Sequence, residues 1–117
     1  MNKNKKILIV EDQRIIASVY SMLLSKKGYY VTIAANVYDA LSNAREINPE
    51  LIIMDVQLHE KVTGIDIARQ LRSEGYDCLI IFTTGNLHKQ TMQEVADIDN
   101  CSVLIKPVEF SEIEKFL

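Results

Sequence analysis

The chain has 117 residues, 48% of them apolar, and a formal net charge of -3, enough for one compact domain and too short for two ordinary ones. Its apolar runs fall far short of the ~20 residues a membrane span needs, and the opening "MNKNKKILIVED" sets acids after only four apolar residues, unlike a secretory signal. The expectation is a cytoplasmic protein with no membrane attachment and, since only the short cluster "NKNKK" is basic, no direct contact with nucleic acid.

In chain order, "KILIV" reads as a first strand, followed over residues 13–27 by a helix with Ile16, Val19, Tyr20 and Leu23 at i, i+3, i+4, i+7 spacing. Lys26 and Lys27 suit the negative end of its dipole, and Gly28 is a natural stop. "YYVTIA" is a weaker strand carrying β-branched Val31, Thr32 and Ile33. Asn36 is then suited to cap a second helix that turns Val37, Ala40, Leu41, Ala44 and Ile47 inward and ends before Pro49. "ELIIM" is the third strand, and residues 64–73 form the third helix, burying Ile65, Ala68 and Leu71 before Gly75. "CLIIF" precedes a thinly patterned helix over residues 88–96, with Met92, Val95 and Ala96 on one side. After "SVLI", a last helix is predicted to start at Ser111 with a Ser111–Glu114 capping box, and it is cut short at Leu117. Cys78 and Cys101 lack metal-ligand spacing and are expected to be reduced, packed thiols.

Five strand-helix repeats predict a doubly wound α/β fold, a parallel sheet with right-handed crossovers and helices on both faces. The apolar, non-alternating strands fit burial on both sides. In such sheets ligands bind beyond the carboxyl ends of the strands. There the strands end in Glu11-Asp12, Asp55, Thr83-Thr84 and Lys106-Pro107. Each alone has an ordinary explanation: Asp12 suits a helix cap, Thr83 is a normal β-former, and Lys-Pro leaves many strands. Together they put three carboxylates, a hydroxyl and an ammonium at one edge.

Three crowded carboxylates repel and raise one another's pKa unless a cation joins them. Mg2+ fits, because it prefers oxygen ligands and takes one or two carboxylates plus phosphate oxygens. With Lys106 added, the pocket is suited to a transferred phosphoryl group, Asp55 being the nucleophile and Thr83 a hydroxyl donor.

The combination of "VED", "LIIMD", "LIIFTT" and "IKP" at these spacings resembles the response-regulator receiver domain, the CheY-like family of two-component signalling, over nearly the whole chain. The resemblance implies one receiver domain over residues 1–117, a flavodoxin-like sheet of order 2-1-3-4-5, and phosphotransfer onto Asp55 from a histidine kinase or phosphotransfer protein. It further implies Mg2+ held by Asp12 and Asp55, by Glu11 mostly through water, and by the backbone carbonyl of Gln57. Thr83 would be the switch hydroxyl, Lys106 the phosphoryl-binding cation, and Lys106-Pro107 a cis peptide. Such a domain is no turnover enzyme beyond its own phosphorylation and dephosphorylation, and it signals to a downstream effector.

The sequence also departs from the family pattern. Leu58-His59 replaces the common Met-Pro, and Gly64 lies nine positions after Asp55, one more than usual, so a longer and less stiff loop is expected. Val103 stands where an aromatic switch residue is common. Thr84 replaces a smaller residue and is expected to restrict access to the site, and "DNCSV" lacks the usual Gly-Ala pair. Three alternatives stay open: a degenerate receiver acting as an interaction module, a haloacid-dehalogenase-type phosphatase, and a flavin-binding flavodoxin-like protein. The second lacks an acid at Gln57, two positions after the nucleophile, and the third would need a phosphate beside repelling Glu11-Asp12. His59 and His88 are read as exposed side chains, and the tyrosines mostly as packing residues.

Overall fold

The computed structural model describes residues 5–117; the lysine cluster begins within residues 1–4 and lies in part outside the described residues. Strands and helices alternate as β1 (Lys6–Val10), α1 (Arg14–Lys26), β2 (Tyr30–Ala34), α2 (Val37–Ile47), β3 (Leu51–Asp55), α3 (Gly64–Ser73), β4 (Leu79–Thr84), α4 (Lys89–Val95), β5 (Cys101–Ile105) and α5 (Phe110–Glu114). The five strands form one parallel sheet of order β2-β1-β3-β4-β5, the predicted flavodoxin-like topology. From β1 the chain moves outward to β2, then returns to the other side of β1 as β3. The reversal opens a crevice above the carboxyl ends of β1 and β3.

Successive strand side chains point to opposite faces, so each central strand feeds two cores. Leu8, Val10, Ile52, Met54, Ile80 and Phe82 pack with α2 and α3 on one face. On the other, Ile7, Ile9, Ile53 and Ile81 pack with Ala17 and Leu24 of α1 and Ile113 of α5. Burying each such side chain contributes roughly 1.5–3 kcal/mol. Coverage of both faces holds for β1, β3 and β4 alone; β2 and β5 are edge strands whose residues are mostly half-buried or exposed.

Three local expectations are corrected. The inward stripe of α1 is rotated: Ala17 and Leu24 are buried, Ile16, Tyr20 and Leu23 are half-buried, and Val19 is exposed. The small Ala17 lets the helix approach β1 closely, which a seam centred on Val19 would prevent. Helix α5 starts at Phe110, not Ser111, because buried Ile113 sets its face. Glu112 Oε2 accepts the Glu109 N–H at 2.9 Å, and Ser111 is an exposed position inside the helix. Tyr30 and Tyr38 stand out to solvent rather than packing. The other caps follow the sequence: Asn36 accepts the Asp39 N–H at 2.8 Å, and Gly28 and Gly75 take positive φ just past α1 and α3.

Candidate functional site

The parallel ladder runs on past the strand ends and carries the polar residues with it. Glu11 N–H donates to Ala34 O at 3.0 Å, Val56 N–H to Thr83 O at 3.0 Å, and Lys106 N–H to Thr84 O at 2.8 Å. Asp55 is the last residue of β3 and pairs in register with Thr83. Gly64 opens α3 directly against this turn, its N–H donating to Val56 O at 2.8 Å. A Cβ at Gly64 would lie 2.2 Å from Asp55 O, so only glycine lets the helix close on the end of β3.

This framework gathers the residues singled out in the sequence. Glu11, Asp12 and Asp55 offer carboxylate oxygens within 4.8 Å of one another. Asp55 is 3% exposed and Glu11 4%. Asp55 Oδ1 accepts the Gln57 backbone N–H at 3.2 Å, and Oδ2 accepts Lys106 Nζ at 3.0 Å. Lys106 Nζ also reaches Glu11 Oε2 at 3.5 Å, while Glu11 Oε1 accepts the Gln13 N–H at 3.1 Å. Thr83 is buried beside Asp55 across the register, and the Lys106-Pro107 peptide is cis.

Burial, and then the charge of Asp55, push the Glu11 carboxyl above its ordinary value. Burial alone would lower the Lys106 ammonium, but its hydrogen bond to Asp55 and the nearby Asp55 and Glu11 charges outweigh this and raise it. One ammonium thus meets two carboxylates, Asp55 and Glu11, with Asp12 a third beside them. Asp12 Oδ1 is buried without a hydrogen-bond partner, alone among the described residues. An unpaired anionic oxygen beside two further carboxylates is the donor set of a hard divalent cation, so the residues present fit Mg2+.

Some departures behave differently from expectation. Asp12 does not cap α1, whose N-cap is Gln13; its Oδ2 instead meets His59 Nδ1 at 2.5 Å. That hydrogen bond and the Asp12 charge raise the His59 imidazole above its ordinary value. The loop after β3, expected to be less stiff, is anchored rather than loose: Leu58 is buried, His59 meets Asp12, and Glu60 Oε2 accepts the Val37 N–H at 3.1 Å. The Thr84 hydroxyl is engaged by its own loop, donating to Asn86 O at 2.9 Å. Val103 packs partly buried against the core in register with Phe82.

His59 and Glu60 were missed as site-shaping residues, since a lone histidine in a loop carries no periodic signal. The cap of α3 was legible: Thr63-Gly64-Ile65-Asp66 has the Ser/Thr-x-x-Asp/Glu form, and Thr63 and Asp66 close a capping box.

Among known families, residues 7–117 match the response regulator receiver domain. The chain belongs to that family. It is 28% identical over 110 residues to sporulation initiation phosphotransferase F of Bacillus subtilis, covering 94% of this chain and 88% of that protein. It is 39% identical over 71 residues to the alkaline phosphatase synthesis transcriptional regulatory protein PhoP of the same organism, covering 61% of this chain and 29% of that protein. The two-component response regulator PhoP of Pseudomonas aeruginosa is 29% identical over 111 residues, covering 93% of this chain and 48% of that one. The chain thus spans less than half the length of these two PhoP relatives.

Among solved structures, Vibrio cholerae chemotaxis protein CheY4 superposes with a TM-score of 0.87 at 26% identity, covering 97% of this chain and 95% of that one. The Thermotoga maritima response regulator TrrA, solved in complex with Mg2+-BeF, gives 0.82 at 26% identity, covering 96% and 95%. The chain is a receiver domain of the response-regulator type, and receiver domains are signalling domains. Receiver domains bind Mg2+ in general, and this one carries the acidic cluster. Among the described residues no helix is long and apolar enough to cross a membrane.

Proposed function

We propose that this receiver takes a phosphoryl group onto Asp55 from a phosphohistidine on a histidine kinase or phosphotransfer protein in the cytoplasm. The observation that carries the reading is the Asp55 carboxylate, buried at a strand end yet held by Lys106 Nζ at 3.0 Å and gathered with Glu11 and Asp12. Asp12, Asp55 and the Gln57 carbonyl would hold Mg2+ directly, with Glu11 mostly through water. When bound, the ion supplies positive charge that offsets the carboxylates and the transferred phosphoryl oxygens.

An Asp55 oxygen attacks phosphorus; the new O–P bond forms as the donor's N–P bond breaks, and the electron pair leaves with the imidazole. Lys106 stands beside Asp55 to balance the charge of the arriving group, and Thr83 donates its hydroxyl to a phosphoryl oxygen. In autodephosphorylation a water oxygen bonds to phosphorus as the Asp55 O–P bond breaks, which restores the carboxylate and releases inorganic phosphate. Thr83 and Lys106 lie at the ends of β4 and β5, so recruiting both to the phosphoryl group biases the region from β4 to α5. Helix α4 in that region is held by one buried residue of its own, Val95.

The test is backbone NMR with beryllofluoride and Mg2+. Shifts spreading from Asp55 through β4 and β5, absent in Asp55→Asn, are expected. Lys106→Ala should keep Mg2+ binding and weaken the response. A folded wild type that ignores both reagents would instead be a degenerate receiver, working as an interaction module.

A further inference from the structure

His59 occupies the position where the family commonly has proline, and its backbone takes φ 57, a left-handed conformation that non-glycine residues seldom adopt. Such a conformation persists only where neighbouring contacts over-determine it. Here the flanking residues supply them. Leu58 is sunk into the core at 3% exposure, and Glu60 binds the first N–H of α2. With both flanks fixed, the exposed imidazole is turned back over the acidic cluster, where Nδ1 meets Asp12 Oδ2. An ionised carboxylate only accepts hydrogen bonds, so Nδ1 carries the proton.

The two oxygens of Asp12 are therefore differentiated. Oδ2 is taken by His59, and Oδ1 is buried and unpaired. We propose that His59 is a positioning residue of the metal site, holding Asp12 by one oxygen so that the other is presented to Mg2+. This rests on the reading of Asp12 as a metal ligand. A carboxylate already fixed through one oxygen loses less rotational freedom when the other binds, and removing such an outer partner commonly weakens metal affinity ~10-fold or more. The contact also joins the metal ligand to the loop after β3 and, through Glu60, to the start of α2.

The experiment is a Mg2+ titration of the full chain, followed by calorimetry and by the NMR shifts of the Asp12 region, in wild type, His59→Ala and His59→Asn. His59 is exposed, so neither variant removes a core contact. His59→Ala should bind Mg2+ ~10-fold more weakly. His59→Asn keeps an N–H donor at the δ position and tolerates the left-handed backbone, and it should recover most of the loss. The same titration with Mn2+ should show the same ratio, since a partner that never touches the ion treats both alike. Unchanged Mg2+ affinity in His59→Ala, or no recovery in His59→Asn, overturns the proposal. A Mn2+ loss far exceeding the Mg2+ loss also overturns it, by making His59 a direct nitrogen ligand. Absence of Mg2+ binding by wild type removes the metal-site reading itself and this inference with it.

Discussion

The two edges of the sheet are built on opposite principles. At the amino edge, before β4 and β5, the Arg72 guanidinium donates to the carbonyls of Tyr76, Cys78, Asp99 and Asn100, and Asn100 Nδ2 donates to Asp77 O. A single cation satisfies several loop carbonyls there. At the carboxyl edge the balance is reversed: of three clustered carboxylates two share Lys106, and Asp12 Oδ1 has no partner. Polar groups that are fully paired contribute stability, whereas groups left short of partners cost stability and are held ready for a ligand. The amino edge of this molecule is scaffold and the carboxyl edge is site.

That contrast can be broken at several points. Gly64→Ala should have the largest effect, about 3 kcal/mol of lost stability, because the new Cβ collides with Asp55 O and must push α3 off β3. Denaturant unfolding measures it, and the displaced turn should also impair Mg2+ binding. Arg72→Ala should cost about 2 kcal/mol, since it leaves loop carbonyls without their charged donor, while Mg2+ affinity stays near the wild-type value. At the other edge the sign inverts. Asp12→Asn should raise metal-free stability by about 1 kcal/mol by removing one of three repelling charges. Added Mg2+ should narrow that difference, because the ion stabilises only the chain that binds it.

The smallest effect concerns the exposed Arg45–Glu74 pair between α2 and α3, at 2.6 Å. The hydrogen bonds from Arg45 and Gln70 lower the Glu74 carboxyl from 4.5 to about 2. An acid depressed in the folded state contributes stability above its unfolded pKa, and the contribution is lost as pH falls through the folded one. Wild type should therefore lose slightly more stability than Arg45→Ala between pH 4.5 and 2. Solvent screening keeps the difference small.

Much of this architecture was legible in the sequence because the central strands are continuous apolar runs and the helices carry their own punctuation, Asn36 and Gly28 among them. The convergence of Glu11, Asp12, Asp55, Thr83 and Lys106 followed from parallel strands alone. What escaped was decided by long-range contacts. The rotation of α1 depends on how closely Ala17 meets the sheet, and the start of α5 on the burial of Ile113. A Ser-x-x-Glu reading of Ser111 was overridden by that burial. His59 and Glu60 became site-shaping only through partners 47 and 23 residues away in the chain.

The central claim is that the under-satisfied carboxyl edge is a phosphoacceptor centred on Asp55. Mass spectrometry of the intact protein and its peptides, after incubation with Mg2+ and a small acyl phosphate, tests it most directly. The predicted result is one phosphoryl increment, mapped to the peptide containing Asp55, dependent on Mg2+ and absent from Asp55→Asn. A folded wild type that gains no increment, or an Asp55→Asn protein labelled on the same peptide, would contradict it.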